Sequence, residues 1–314
     1  MSADTLTYRR LIDNAMHLYR EERYREGIVY LNRHAHKVEG NLAQIYNLLY
    51  SLTARAGGTN LAIAIFQEAV EEKGLWYSGK YLRTEESIES MRGYGDFDRL
   101  VRICEGREAE AHLNARSELK IVAPSKSEAK SEGARLLVTL HGDRENNELN
   151  GPHWEKAVEE GHVLALVQSS VEDFSDAYVW NDLPKGGMEL KEHLATLDKK
   201  FCIPSERIVL GGFSEGCQAI LHAILEGLVK ARTLLLVSPR LTHIDQWAHR
   251  LGALEGMNVH IVAGEQDDEC LKCSRNLAAL LDGQGIRNHL RLVEGLGHDF
   301  PMDFDRDIEA ALGD

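Results

Sequence analysis

Residues Gly212 to Gly216, GFSEG, set one serine between two glycines where an apolar run, RIVLG, meets a helical pattern, EGCQAILHAILEGLVKA. A serine hydroxyl is a weak nucleophile at neutral pH. It becomes effective beside a histidine that takes its proton and is itself oriented by a carboxylate. Glycines on both sides suit a strained strand-to-helix turn that pushes the hydroxyl outward and leaves no room for neighbouring side chains. The same five residues also suit an ordinary turn whose serine caps a helix.

Downstream residues separate these readings. VHIVAGEQDDEC closes an apolar run with an acidic turn containing Asp267 and Asp268, and LVEGLGHDFP closes the last one with His298. Nucleophile, acid and histidine therefore follow one another in an order that a Ser-acid-His site on an open sheet requires. Both downstream groups fall after strand C-termini, the edge at which such sheets build their sites. Upstream, LVTLHGD supplies a His141-Gly142 turn after the first central run, where an oxyanion-binding amide belongs.

The elements that must position these groups are legible as a change of period. RLLVTLHG, HVLALVQS, RIVLGGFS, TLLLVSP, VHIVAGE and HLRLVEG are short, nearly continuous Val/Leu/Ile runs, as expected for strands buried on both faces of a parallel sheet. GGMELKEHLATLDKKF, EGCQAILHAILEGLVKA and SRNLAALLDGQG alternate with them as helices. That alternation predicts a doubly wound, mostly parallel α/β domain over residues 116–314, with SELKIVAP as its first strand and SKSEAKSEG as an exposed loop or hairpin.

Residues 1–115 read as helices. Leu42, Ile45, Tyr46, Leu49 and Tyr50 form one stripe, and Leu61, Ile65, Phe66, Ala69 and Val70 another. Leu11, Ala15, Gly27 and Leu31 recur 35 positions later as Tyr46, Tyr50, Ala62 and Phe66, a period that resembles the tetratricopeptide repeat, with a degenerate third unit around YGDFDRLVRICEGREAEAHL. Such hairpins predict a surface for a protein partner, for self-association or for covering a site.

LHG, QSS, GFSEG, GEQDD and GLGHDFP together make the C-terminal part resemble the α/β-hydrolase superfamily. The closest likeness is to its small carboxylesterase, acyl-protein thioesterase and dienelactone-hydrolase-like branch. The resemblance implies Ser214 as nucleophile and His298 as general base. The acid lies three residues after the strand-ending Gly264, which favours Asp267 over Asp268. It also implies an oxyanion hole from the backbone N–H groups of Asp143 and Glu215, with His141 holding the loop in shape.

The loop HGDRENNELNG lacks the extra glycine of HGxG esterases, and both oxyanion positions carry acidic side chains. Those carboxylates are expected to turn outward or to pair with Arg144 or Arg240, since facing the hole they would oppose the charge developing there. Trp154, Tyr178 and Trp180 are candidates to line the pocket, with packing between helix and sheet as the alternative.

The reaction implied is hydrolysis of short or medium acyl esters, with thioester or amide cleavage on the same fold, or a non-catalytic interaction scaffold, as alternatives. No organic cofactor and no metal is implied. The net charge of −14 argues against a nucleic-acid surface. The chain shows no membrane span and no apolar leader, and its five cysteines, 104, 202, 217, 270 and 273, fit a reducing cytoplasm. CLKC is the only close pair and reads as two thiols on a helix face rather than a metal or redox motif.

Overall fold

The computed structural model describes residues 6–124 and 135–314. The SKSEAKSEG run lies outside the described residues. The chain divides into two compact units: one runs to Ala115 and includes Glu172–Ala177, and the other comprises Arg116–Val171 and Tyr178–Asp314.

The first unit is helical. Its longer helices are α1 (Tyr8–Arg20), α2 (Tyr24–His34), α3 (Leu42–Arg55), α4 (Thr59–Gln67) and α5 (Gly95–Asn114). Side-chain caps start two of them: Thr7 Oγ1 accepts from Arg10 N at 3.2 Å, and Asn41 Oδ1 accepts from Gln44 N at 2.9 Å. Consecutive helices α1 to α4 pack against one another in turn. Gly27 sits at the crossing of α2 and α3, where a Cβ would lie 3.0 Å from a Leu52 methyl.

Leu11, Ala15 and Leu31 join Leu48 and Leu52 in one core, while Tyr50, Ala62 and Phe66 join Tyr77, Phe97 and Phe174 in another. Phe174 comes from the Glu172–Ala177 segment and stacks on Tyr77 with centroids 6.0 Å apart. Beyond α4 the hairpin rhythm breaks. The helix widens into a single π turn, Glu68–Glu72, and short pieces follow. The expected third repeat is one 20-residue helix, α5, and not a helix pair.

The second unit is built on a seven-stranded sheet: β1 (Glu118–Val122), β2 (Leu136–Leu140), β3 (Val163–Gln168), β4 (Ile208–Phe213), β5 (Thr233–Val237), β6 (Asn258–Gly264) and β7 (Asn288–Val293). Their spatial order is β1-β3-β2-β4-β5-β6-β7. Only β1 runs antiparallel, pairing with β3; all other neighbours are parallel.

The continuous apolar runs resolve into two faces by strand alternation. Val138, Leu210, Leu236 and Ile261 point to the side covered by α6 (Leu183–Phe201), α7 (Glu215–Leu225) and α8 (Asp268–Gly283). Leu137, Val209, Leu235 and Val262 point to the side holding Trp154, Phe300, Phe304 and α9 (Asp305–Gly313). Each such leucine, fully withdrawn from water, contributes about 1.5–3 kcal/mol. Burial on two sides thus outweighs strand propensity in holding the sheet. It leaves the C-terminal ends of β2, β4, β5, β6 and β7 to carry loops.

Candidate active site

Ser214 follows the last residue of β4 and precedes the first of α7. Its backbone sits at φ 51°, ψ −116°, a region that L-residues avoid at a cost of order 1–3 kcal/mol. The turn is held by Ser214 N donating to Val237 O at 2.9 Å and by Cys217 N and Arg240 N each donating to Ser214 O at 3.2 Å. Strain therefore falls on the serine itself, and the flanking glycines answer a need for space. A Cβ on Gly216 would lie 2.5 Å from His141 O, and one on Gly212 would lie 2.8 Å from Cys217 N. Only hydrogen at these two positions lets α7 start against the end of β2.

Asp267 and His298 meet. His298 Nδ1 lies 2.6 Å from Asp267 Oδ2. Because a carboxylate only accepts, the ring donates from Nδ1, and in the neutral imidazole Nε2 is then the nitrogen that can accept a proton. Asp267 is also the N-cap of α8, accepting from Cys270 N at 3.3 Å, so its carboxylate is fixed by the helix it starts. Burial would raise the Asp267 pKa; the His298 hydrogen bond and charge, with the Cys270 contacts, outweigh burial and hold it below the usual carboxylate range. Asp268 is the first residue of α8 and makes no such contact with the ring. Phe213, next to the serine, touches the His298 ring with centroids 4.8 Å apart and stacks on Phe300 at 4.7 Å.

The loop after β2 is braced from inside. His141 is fully buried; its Nδ1 donates to Gly142 O at 2.7 Å and its Nε2 accepts from Ser169 N at 3.2 Å. Burial pushes its pKa down to about 4, so the ring is neutral at physiological pH. Trp180 Nε1 donates to His141 O at 2.9 Å while its indole lies 4.9 Å from the imidazole, and Glu145 accepts from Gly142 N at 3.2 Å.

Glu215 opens α7, so its N–H has no acceptor within the helix. At the two positions expected to form the oxyanion hole, the Asp143 charge acts on the half-buried Glu215 carboxyl. Burial first, and then the Asp143 charge, push Glu215 up to about 7 against the pull of Arg240 and Arg144. Arg240 is the pairing cation, 3.3 Å from Glu215 and 2.9 Å from Glu269.

The aromatic candidates divide. Trp154 is 0% exposed, bonded through Nε1 to Asn150 at 3.0 Å and packed edge-on to Phe300 and Phe304, so it is core beneath the sheet rather than pocket wall. Trp180 is likewise buried, behind the His141 loop. Tyr178 stays partly exposed beside His141, its N–H bonded to Glu145 O at 3.0 Å. A groove lined by Ser205, Val229, Lys230 and Met257 lies at the opposite, N-terminal ends of the strands.

Sequence reasoning read Cys270 only as a helix-face thiol and passed over Glu145. The signal for Cys270 was its place one helical turn after Asp267; its buried Sγ is 3.6 Å from His298 Nδ1. Asp267, Cys270 and His298 present donor atoms within 4.8 Å of one another, the one such cluster of possible metal ligands among the described residues. All five cysteines are free thiols.

This fold defines an α/β-hydrolase-type protein. Residues 7–112 match the family model "A/B hydrolase-like, N-terminal domain". An uncharacterized protein from Bacillus cereus is 31% identical over 98% of this chain and 99% of its own, with a TM-score of 0.55. Esterase PE8 is 16% identical over 63% of this chain and 97% of its own, TM-score 0.52. A carboxylesterase from Mesorhizobium loti is 16% identical over 62% of this chain and 93% of its own, TM-score 0.50. No curated protein matches the sequence. The chain belongs to one family with the Bacillus cereus protein, and its fold is that of an α/β hydrolase.

Proposed function

We propose that the protein is a serine hydrolase that cleaves carboxylic esters through an acyl-Ser214 intermediate. The observation that carries this reading is the 2.6 Å hydrogen bond between Asp267 and His298. It joins the two groups that follow the strained Ser214 in chain order, at the strand ends of the same sheet. The fold shared with an esterase and a carboxylesterase supports the same class.

In the reaction, Ser214 Oγ attacks the ester carbonyl carbon and His298 Nε2 takes the hydroxyl proton. Asp267 holds the ring and balances the imidazolium. The carbonyl oxygen, now an anion, is held by the N–H groups of Glu215 and Asp143, each donor being worth about 3 kcal/mol in the transition state. Collapse breaks the carbon–oxygen bond, His298 returns the proton to the leaving alcohol, and water repeats both steps to free the acid and Ser214. The Asp143–Glu215 pair makes the rim acidic and so favours neutral esters over those with a carboxylate near the scissile bond.

The test is hydrolysis of p-nitrophenyl acetate by wild type and Ser214→Ala. The reading expects the substitution to reduce kcat by several orders of magnitude. Equal rates in the two folded proteins would contradict it and favour a scaffold without catalysis.

A further inference from the structure

The cluster behind the candidate active site does more than orient an imidazole. A nitrogen of His298, an oxygen of Asp267 and the sulfur of Cys270 lie within 4.8 Å of one another, His298 Nδ1 being 2.6 Å from Asp267 Oδ2 and 3.6 Å from Cys270 Sγ. Cys270 and the N-cap Asp267 are spaced by one turn of α8, which fixes both on the same side of that helix, and His298 arrives from the loop after β7.

The spacing has a specific meaning for a tetrahedral d10 cation. With metal–sulfur and metal–nitrogen bonds of about 2.3 and 2.0 Å, the sulfur and nitrogen of one shell stand about 3.5 Å apart. Cys270 Sγ and His298 Nδ1 already stand 3.6 Å apart. The nitrogen–oxygen edge of the same shell is about 3.3 Å, so the 2.6 Å His298–Asp267 pair has to open by a fraction of an ångström. One thiolate, one imidazole and one carboxylate leave a fourth position for water. Thiolate in the set selects zinc or cadmium over magnesium or calcium. Entry is from the histidine side: the His298 side chain is 31% exposed, against 9% for Asp267.

We propose that Asp267, Cys270 and His298 form a binding site for a thiophilic divalent cation of the zinc type, and that filling it switches the hydrolase off. Binding releases the Cys270 thiol proton. It also moves the imidazole proton from Nδ1, which now binds metal, to Nε2. An Nε2 that carries a proton no longer accepts one from Ser214, and Asp267 no longer orients the ring. The loss of activity rests on the proposed roles of Ser214 and His298, whereas the binding itself does not.

The two are separated by titrating Cd2+ into Ser214→Ala and following the ultraviolet thiolate-to-cadmium charge-transfer band. One equivalent per chain is expected, and it disappears in Ser214→Ala/Cys270→Ala and in Ser214→Ala/Cys270→Ser. The serine variant preserves the buried volume should alanine impair folding, which circular dichroism reports. In parallel, Zn2+ abolishes fluorophosphonate labelling of the otherwise wild-type chain, EDTA restores it, and Mg2+ has no effect. Cys270→Ser raises the half-inhibitory Zn2+ concentration by at least about tenfold relative to its own metal-free labelling. Identical Cd2+ titrations with and without Cys270, or unchanged Zn2+ sensitivity in Cys270→Ser, overturn the site. Cd2+ binding that leaves labelling unaffected overturns the switch and keeps the site. Absence of labelling in metal-free protein counts against the hydrolase reading, and the Cd2+ titration still decides the site.

Discussion

Two neighbouring aspartates, Asp267 and Asp268, differ by one position and by everything their carboxylates touch. Asp267 caps α8 and accepts from His298; Asp268 begins the helix and does neither. The contrast makes a test at the scale of one atom. Asp267→Asn keeps the cap but offers His298 an amide, and kcat on a neutral ester should fall by about 10³–10⁴-fold, the loss seen when a triad carboxylate is replaced. Asp268→Asn should stay within a few-fold of wild type; steady-state kinetics of both variants reads the difference. The resemblance, which places the acid three residues after the strand-ending Gly264, is what favoured Asp267 in the sequence; the residues alone left Asp267 and Asp268 both open. The influence of Asp143 on Glu215 was not legible, since the acidic character of each residue was plain but their approach depends on the loop after β2 meeting the start of α7. For Trp154 and Trp180 the sequence left pocket lining and packing between helix and sheet both open; burial, with the indole N–H groups bonded to Asn150 and to the His141 carbonyl, decides for packing.

At the scale of the element, the loop after β2 is a small buried structure of its own. His141 is neutral within it, accepting from Ser169 and donating to Gly142. Its pKa of about 4 in the fold lies below the 6.5 of a free side chain, so between these values the unfolded chain binds more protons. Stability from this ring is therefore complete above pH 6.5 and lost as pH falls towards 4, by about 3 kcal/mol in all. Denaturant unfolding at pH 7 and at pH 4 should show that decline, and it should be smaller in His141→Asn. Glu215 acts in the opposite sense: its raised pKa means stability is given up as pH rises from about 4.5 to 7. The strands were legible because burial on two faces leaves continuous apolar runs. Helix ends were less so: α7 stops at Leu225, where Gly227 takes φ 67°, although the apolar pattern continues to Ala231.

The whole molecule joins a helical unit bearing the family's N-terminal domain to a hydrolase-type sheet. The change of period falls near residue 115, where the chain passes from one compact unit to the other, but the contribution of Glu172–Ala177 to the helical unit had no sequence signal, because six residues around Phe174 are too few to carry a periodicity. The positions of the 35-residue echo fall on α1 to α4, before the π turn. No helix among the described residues is long and apolar enough to cross a membrane. On the proposed reading, the Glu215 and Asp143 carboxyls at the rim disfavour an anionic acyl group. For matched p-nitrophenyl esters, a neutral acetyl group should give a higher kcat/KM than a short acyl group ending in carboxylate, and Glu215→Gln should narrow the gap. Equal values for the two esters in wild type would remove the acidic rim from the account.

The proposed chemistry requires that one hydroxyl among this chain's serines be activated for attack. Reaction of the folded protein with a fluorophosphonate, followed by peptide mass spectrometry, reads this directly. A single adduct on Ser214, absent in Ser214→Ala and greatly slowed in Asp267→Asn, is the predicted result. An unmodified Ser214 in a metal-free folded protein, or an adduct on another residue, would contradict it.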